Sequence, residues 1–391
     1  MDNRTSYCLN ARCGLFGKAG PAARLKGYDW QRAGPRFECE ACGRVLSAST
    51  GTAYAGVRTD LNAYRRGARA LAEGVSIRAT SRLIEVDKDT VQRWLPLLGQ
   101  HAASVMNYFF RNLHLTECQF ATRELWTFIY KKEAHLTALD QLGAVYGDAW
   151  VWIAFSPVCK LVPAWVVGKR TLPHARRLVF RLKSAMDGHI PFSLAPPARA
   201  GVTSDELPHY ADALLEVYGQ WVQPTRHGTR GRLPHPQRVP PPNLCYAVVV
   251  KKREKGRVVE VTTRIVYGST EQVEAALQAS PVSRTINTYG VERNNLTIRQ
   301  HSRRMGRKVN AFSKDPDYLE QQLTLAFAYY HFVVPHRGLR QRLPRPVPTK
   351  GRNGSYKKWK PVTPAMAAGL TDHVWTMDEL LSFRVPPKSL W

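Results

Sequence analysis

The spacing of apolar positions changes along this chain. Residues 60–105 carry them at the three-and-four spacing of helices. Within RALAEGVSIRATSRLIEVDKDTVQRWLPLLG the pattern predicts one helix up to Gly74 and a second from about Ile77 to Leu83. A third is capped by Asp87 or Asp89 and carries Thr90, Val91, Arg93, Trp94 and Leu95. From about residue 106 the pattern shortens to strand-like runs: ELWTFIYKK, DAWVWIAFSP and KLVPAWVVGKR. The last two are joined at Ser156 and Pro157 as a hairpin. A helix, HARRLVFRLKSAM, a short strand running into GVTSDELPHY, and a helix, ADALLEVYGQW, follow. CYAVVVKKREKGRVVEVTTRIVYG predicts two strands about a charged turn at Glu254 to Gly256, a hairpin inserted into the main domain. Residues 222–243 are rich in Pro, Gly and Arg and predict a basic loop without regular structure. Helices beginning near Val291 and covering LEQQLTLAFAYYHFVV come next, then a basic linker, KGRNGSYKKWK, and a short helical tail. Strand pairs followed by strand–helix alternation indicate a multidomain α/β (α+β) chain.

The helical region also has candidate chemistry. Two short helices with a tight turn, the second opening on polar and basic residues, fit a helix-turn-helix. Lys88, Thr90, Gln92 and Arg93 are then expected near a DNA groove or its phosphates; a generic three-helix packing unit is the competing reading. Upstream, Cys8-x4-Cys13 and, 25 residues later, Cys39-x2-Cys42 have the paired spacing of a structural Zn²⁺ site on two knuckles, as in a zinc ribbon. Four thiolates leave no open position on the ion, so the zinc is expected to be structural. Cys118, Cys159 and Cys245 lie in apolar surroundings and are expected to be core residues.

Charge sharpens this picture. Among 391 residues there are 57 Lys and Arg against 30 Asp and Glu, a formal charge of +27. An excess of that size predicts a polyanionic partner, with nucleic acid first. No apolar run suits a transmembrane helix and no signal-peptide core stands at the N-terminus, so a cytoplasmic location without membrane association is expected. In TYGVERNNLTIRQHSRRMGRKVNAFSKD, residues Glu292, Asn295, Arg299 and Arg303 fall three and four apart and are expected to share one helix face.

That last segment, VERNNLTIRQHSRRMGRKVNAFSKD, resembles the third-carboxylate helix of bacterial insertion-sequence transposases of the insertion-sequence-one type. GVTSDELPHY resembles the family's second-carboxylate segment, ELWTF the tail of its first, and TPAMAAGLTDHVWTMDELL its C-terminus. The resemblance covers nearly the whole chain. It implies a zinc ribbon over 1–52, a helix-turn-helix over 53–108 and an RNase H-like core over 109–345 with an insertion at about 222–270. A basic linker and tail would occupy 346–391. It further implies a DDE mechanism in which carboxylates hold Mg²⁺ or Mn²⁺, and the ions activate the nucleophile and stabilise the leaving oxygen. Asp205 would be the second carboxylate and Glu292 the third. Arg299, Arg303, Arg304, Arg307 and Lys308 would line DNA. Double-stranded DNA, as terminal inverted repeats and target, would be the partner of an oligomer no smaller than a dimer, in a bacterial, nucleoid-associated setting.

The family's first Asp is missing. Ala121-Thr122-Arg123 stand before Glu124 where an Asp precedes the Glu-Leu-Trp segment. Side chains alternate across a strand, so Gln119, Ala121, Arg123 and Leu125 are expected on one face, with Arg123 at the disrupted first-carboxylate position. Glu124 then points to the opposite face and substitutes for the lost ligand only if a bulge turns the strand. Three readings follow: an active transposase, a DNA-binding protein or repressor of transposase descent that no longer cuts, and a zinc-containing nucleic-acid adaptor of other ancestry.

Overall fold

The computed structural model describes residues 7–18, 20–31, 34–111, 113, 115, 119–142, 146–185, 192–195, 209–226, 233–255, 257–306, 309–348 and 355–386. At the N-terminus, β1 (Leu25–Gln31), β2 (Gly34–Cys39) and β3 (Val45–Ser47) form an antiparallel sheet.

Three helices follow, each opened by a side-chain cap. Asp60 Oδ1 accepts from Ala63 N–H at 2.9 Å and starts α1 (Leu61–Ala72). Ser76 starts α2 (Ile77–Ile84), and Asp87 Oδ1 accepts from Asp89 and Thr90 N–H to start α3 (Lys88–Phe110). Such caps satisfy amides that a helix's first turn leaves unbonded. Between α2 and α3, Glu85 takes the left-handed conformation at φ 56° and turns the chain. Tyr64 of α1 meets Trp94 of α3 edge-on, ring centroids 4.9 Å apart.

The main sheet has six strands in the order β11–β10–β7–β4–β5–β6. Its centre is β4 (Gln119–Ile129), and after α4 (Ala138–Gln141) the strands β5 (Gly147–Phe155) and β6 (Ala164–Gly168) pair antiparallel beside it. Helix α5 (Leu172–Ala185) crosses to β7 (Phe192–Ala195), which pairs parallel with β4 on its other side. Helix α6 (His209–Tyr218) leads to a small ribbon, β8 (Gln220–Val222) with β9 (Gln237–Val239), and then to β10 (Tyr246–Glu254). That strand pairs parallel with β7 and antiparallel with β11 (Arg257–Tyr267). After α7 (Thr270–Ala279) come α8 (Tyr289–His301), α9 (Pro316–Phe332), a second ribbon of β12 (Gln341–Pro348) and β13 (Tyr356–Lys360), and two short helices, α10 (Pro364–Ala367) and α11 (Met377–Ser382).

Three sequence expectations are corrected here. The β10–β11 hairpin is not an insertion beside the main domain but the edge of its sheet, because the apolar run Tyr246–Val249 is buried against β7. The basic loop 222–243 contains regular pairing, since Trp221 on β8 gives Arg238 on β9 a ring to cover at 5.1 Å. The basic linker supplies β13.

The sheet separates two helical layers. Trp152 of β5 meets Tyr210 of α6 on one face. On the other, Trp165 of β6 packs against Phe327 of α9, and Gly290 of α8 approaches the Phe155 ring. Helix α9 is buried on nearly every side and lies against α3, so one apolar core runs from Ala53 to Leu381. The C-terminal segment closes this body onto its beginning: Leu381 O accepts from Ala53 N–H at 2.9 Å and Asp378 from Tyr54 OH at 2.6 Å. Arg384 donates to Ala48 O, and Tyr7 OH to Val385 O. Among the described residues no helix is long and apolar enough to cross a membrane.

Candidate metal centre and nucleic-acid interface

The cysteine knuckles sit at the end of the β1–β3 sheet. In the second, Gly43 at φ 68° lets its N–H return to Cys39 O at 2.8 Å, which brings Cys39 and Cys42 to the same side. In the first, Gly17 N–H reaches Cys8 O at 3.0 Å. Cys8 and Cys42 Sγ are 3.6 Å apart, Cys13 and Cys39 Sγ 3.8 Å, and all four sulfurs lie within 4.8 Å of one another. A tetrahedron of thiolates at about 2.3 Å from an ion has edges of about 3.8 Å, so the cluster has the dimensions of a metal site. Asn10 and Leu15 amides point at the Cys8 and Cys13 sulfurs. Burial pushes the Cys8 thiol up to about 12, while the Arg44 amide draws Cys42 down to about 6. Of the remaining cysteines, Cys159 is buried beside Ser156 and Cys245 packs with Val273 and Leu277, as expected of core residues; Cys118 lies outside the described residues.

At the start of α3, Lys88, Gln92 and Arg93 are exposed and Thr90 is half-buried. Arg93 donates to Thr90 Oγ1 at 3.0 Å, and Lys88 pairs with Asp89 at 2.9 Å. The inward positions Val91, Trp94 and Leu95 are buried. The helix therefore turns its apolar stripe into the core and presents its polar first turn to solvent.

The register of β4 fixes where the disrupted position falls. Pairing with β5 runs unbroken from Ala121↔Phe155 through Arg123↔Ile153 to Ile129↔Gly147. Directly paired residues share a face. Phe155 and Trp165, the latter paired with Ile153, lie on the side of α8 and α9. In this register Arg123 is the backbone partner of Ile153. Glu124, paired with Trp152, is on the α6 face. Its carboxylate lies 3.8 Å from Arg170 Nε and raises the pKa of Tyr246 further after burial, the larger cause. Glu124 therefore does not fit the expected role of substitute ligand: with no bulge in the pairing, the sheet stands between it and α8.

On the α8 side, Glu292 Oε1 pairs with Lys251 Nζ at 3.0 Å and accepts from Thr288 Oγ1 at 3.3 Å. Lys251 comes from β10, 41 residues before Glu292, so no local sequence signal connects the two. Helix α8 begins at Tyr289, close to the expected start, and ends at His301; Ser302 is extended at φ −141°. Glu292, Asn295 and Arg299 share the helix, but Arg303 lies beyond it in a 3₁₀ turn, Arg303–Met305, so the expected four-residue stripe is shorter by one. Arg303 is exposed. Arg299 is half-buried, and Arg304 is turned inward, donating to Ser313 Oγ at 3.0 Å while its carbonyl accepts from Thr127 Oγ1 at 3.2 Å. Asp205, Arg307 and Lys308 lie outside the described residues.

Compared with family models, curated proteins and solved structures, the chain matches none.

Proposed function

We propose that this chain is a DNA-binding protein of the insertion-sequence transposase type, with a zinc-stabilised ribbon, a helix-turn-helix and an RNase H-like core that holds DNA without cutting it. The sheet order carries the reading. An antiparallel meander lies on one side of β4, parallel strands joined through helices on the other, and helices cover both faces. This arrangement supports the reading of an RNase H-like core, as does the position of VERNNLTIRQH on the helix that packs against the central strand. Zn²⁺ suits the four thiolates, which would hold it with no position left for a reactant. The first turn of α3, with Lys88, Gln92 and Arg93 exposed, would meet the DNA groove and its phosphates.

Loss of cutting rests on charge. DDE chemistry needs carboxylates converging on divalent ions. Arg123 stands at the first-carboxylate position of the sequence, and Glu292 is already neutralised by the Lys251 ammonium. One carboxylate is missing from the set and another is held by a cation, which leaves too little negative charge to hold a metal pair. Glu124 instead faces Arg170 on the opposite side of the sheet, where the two charges offset one another.

The test is a strand-cleavage and strand-transfer assay with Mg²⁺ or Mn²⁺, alongside a duplex-binding assay. The full chain is expected to bind DNA and to leave it intact, whereas Arg123→Asp combined with Lys251→Ala restores a site for metal. Cleavage by the unaltered chain overturns the reading of a disabled core, and absence of duplex binding overturns the DNA-binding reading.

A further inference from the structure

The segment Pro335–Pro361 contains nine Lys and Arg and no Asp or Glu. Its described part is not a tether but the β12–β13 ribbon. Gln341 pairs with Lys360, Arg342 with Trp359, Val347 with Lys357 and Pro348 with Tyr356, with an irregularity between Arg342 and Val347. At its base His336 N–H donates to Val362 O at 2.9 Å. Nearly every residue of both strands is exposed.

Its chemistry limits what the ribbon can do. A free strand edge ordinarily invites another strand. Here Pro344, Pro346 and Pro348 remove the amides that a joining strand would need, so β12 cannot extend the sheet. On the β13 edge three of the five residues are lysines, whose charge discourages a joining strand and leaves recognition to the side chains. Arg340 and Arg342 are two apart, and Arg342 is paired with Trp359, so both cations lie on the Trp359 face with Lys357. Arg340 covers the Trp359 ring at 4.3 Å. Lys358 and Lys360 lie on the other face, where Asp372 is within electrostatic reach of Lys360. A flat anionic surface would engage one face and leave the other in water. A grooved polyanion engages both, and the major groove of duplex DNA is wide enough, about 12 Å, to admit a two-stranded ribbon.

We infer that the β12–β13 ribbon is a second DNA contact, an arm that lies along duplex DNA with its cations on the phosphates. The inference rests on the DNA-binding reading above and adds a site remote in sequence from α3. Phosphate contacts position a protein without reading sequence, so the arm is expected to strengthen binding to every duplex alike.

The experiment compares the full chain with Arg342→Ala, Arg345→Ala, Lys358→Ala in one variant and Arg342→Lys, Arg345→Lys in another, on a fluorescent 40-base-pair duplex over a salt series. Each phosphate contact contributes about 0.9 to the slope of log K against log salt, so losing three lowers the slope by about 2.7. Between 50 and 200 mM salt that is roughly a 40-fold smaller change in affinity than the parent shows. The lysine variant keeps its charges and is expected to keep the parent slope. A triple-alanine variant with the parent slope overturns the arm while leaving the DNA-binding reading intact; a parent that binds no duplex overturns both. Ribbon-dependent binding to phosphatidylserine vesicles, with DNA binding unaffected by the substitutions, also overturns the arm and assigns it to a membrane.

Discussion

His331 offers a measurement in which the sign and the size both come from the structure. It sits on α9, completely buried among the rings of Phe110, Phe327 and Tyr330. Its Nε2 accepts from Val162 N–H at 3.1 Å, which places the ring's single proton on Nδ1. A second proton on Nε2 would face the Val162 amide donor to donor, and burial pushes the pKa down to about 3. In the unfolded chain the imidazole titrates near its ordinary 6.5. Between those values the unfolded state binds more protons, so stability rises with pH. This contribution is complete above pH 6.5 and is lost as pH falls toward 3. At pH 5 the loss is about 2 kcal/mol, 1.5 pH units at about 1.36 kcal/mol each. His331→Gln keeps an acceptor near the Val162 amide but does not titrate. Urea denaturation of parent and variant at pH 5 and pH 8 isolates the term, because other groups cancel in the difference between the two proteins. The parent is expected to lose about 2 kcal/mol more than the variant on acidification. Equal losses within about 0.5 kcal/mol would refute the buried, neutral imidazole, since one-third of a pH unit would then account for the whole shift.

Other consequences can be checked more briefly. Chelation of zinc, or Cys39→Ser, is expected to unfold the N-terminal sheet and to abolish specific DNA binding, since such ribbons draw their stability from the ion; one zinc per chain in the native protein and none in the variant is the accompanying metal analysis. Gly99 of α3 faces α9 so closely that a Cβ would lie 2.2 Å from Gln321 Oε1 and 2.9 Å from Gln321 Cα. The overpacking cost of Gly99→Ala, about 1–3 kcal/mol, should exceed the roughly 1 kcal/mol that alanine gains in a helix, and a variant that melts at or above the parent would contradict the close approach. His373 is held between Asp372 at 2.6 Å and Glu379 at 3.0 Å, which raises its pKa above 6.5. Its stabilising effect is present below pH 6.5 and lost as pH rises through the raised value; an NMR titration midpoint at or below 6.5 would exclude the two ion pairs.

The helical region was legible because its signals are local. Asp60, Ser76 and Asp87 each cap the helix that follows within a few residues, and the buried positions Val91, Trp94, Leu95 and Leu98 repeat at helical spacing. The cysteine pairs were legible for the same reason, each pair closing on its own turn. The alternation argument turns Glu124 away from α8 unless a bulge intervenes, and the unbroken β4–β5 pairing and its approach to Arg170 agree with it. What escaped depends on distance along the chain. Lys251 meets Glu292 across 41 residues, and β10 finds β7 across α6 and a basic loop. A hairpin read only from its own turn cannot show that one of its strands pairs outward as well. Arg303 was misplaced because helical spacing continues in the sequence past Ser302, where the backbone has already become extended.

The bonds from Asp378, Leu381, Arg384 and Val385 back to Tyr54, Ala53, Ala48 and Tyr7 bear on the order in which the molecule can be made. Tyr54 and Asp378 are separated by 324 positions. At about 5–20 residues per second, a ribosome takes roughly 15–65 seconds to travel between them. For that time the emerging cysteine knuckles and the first helices lack their closing strap. A nascent or interrupted chain would therefore carry an unclasped N-terminal unit, and only a chain synthesised through Val385 could lock it.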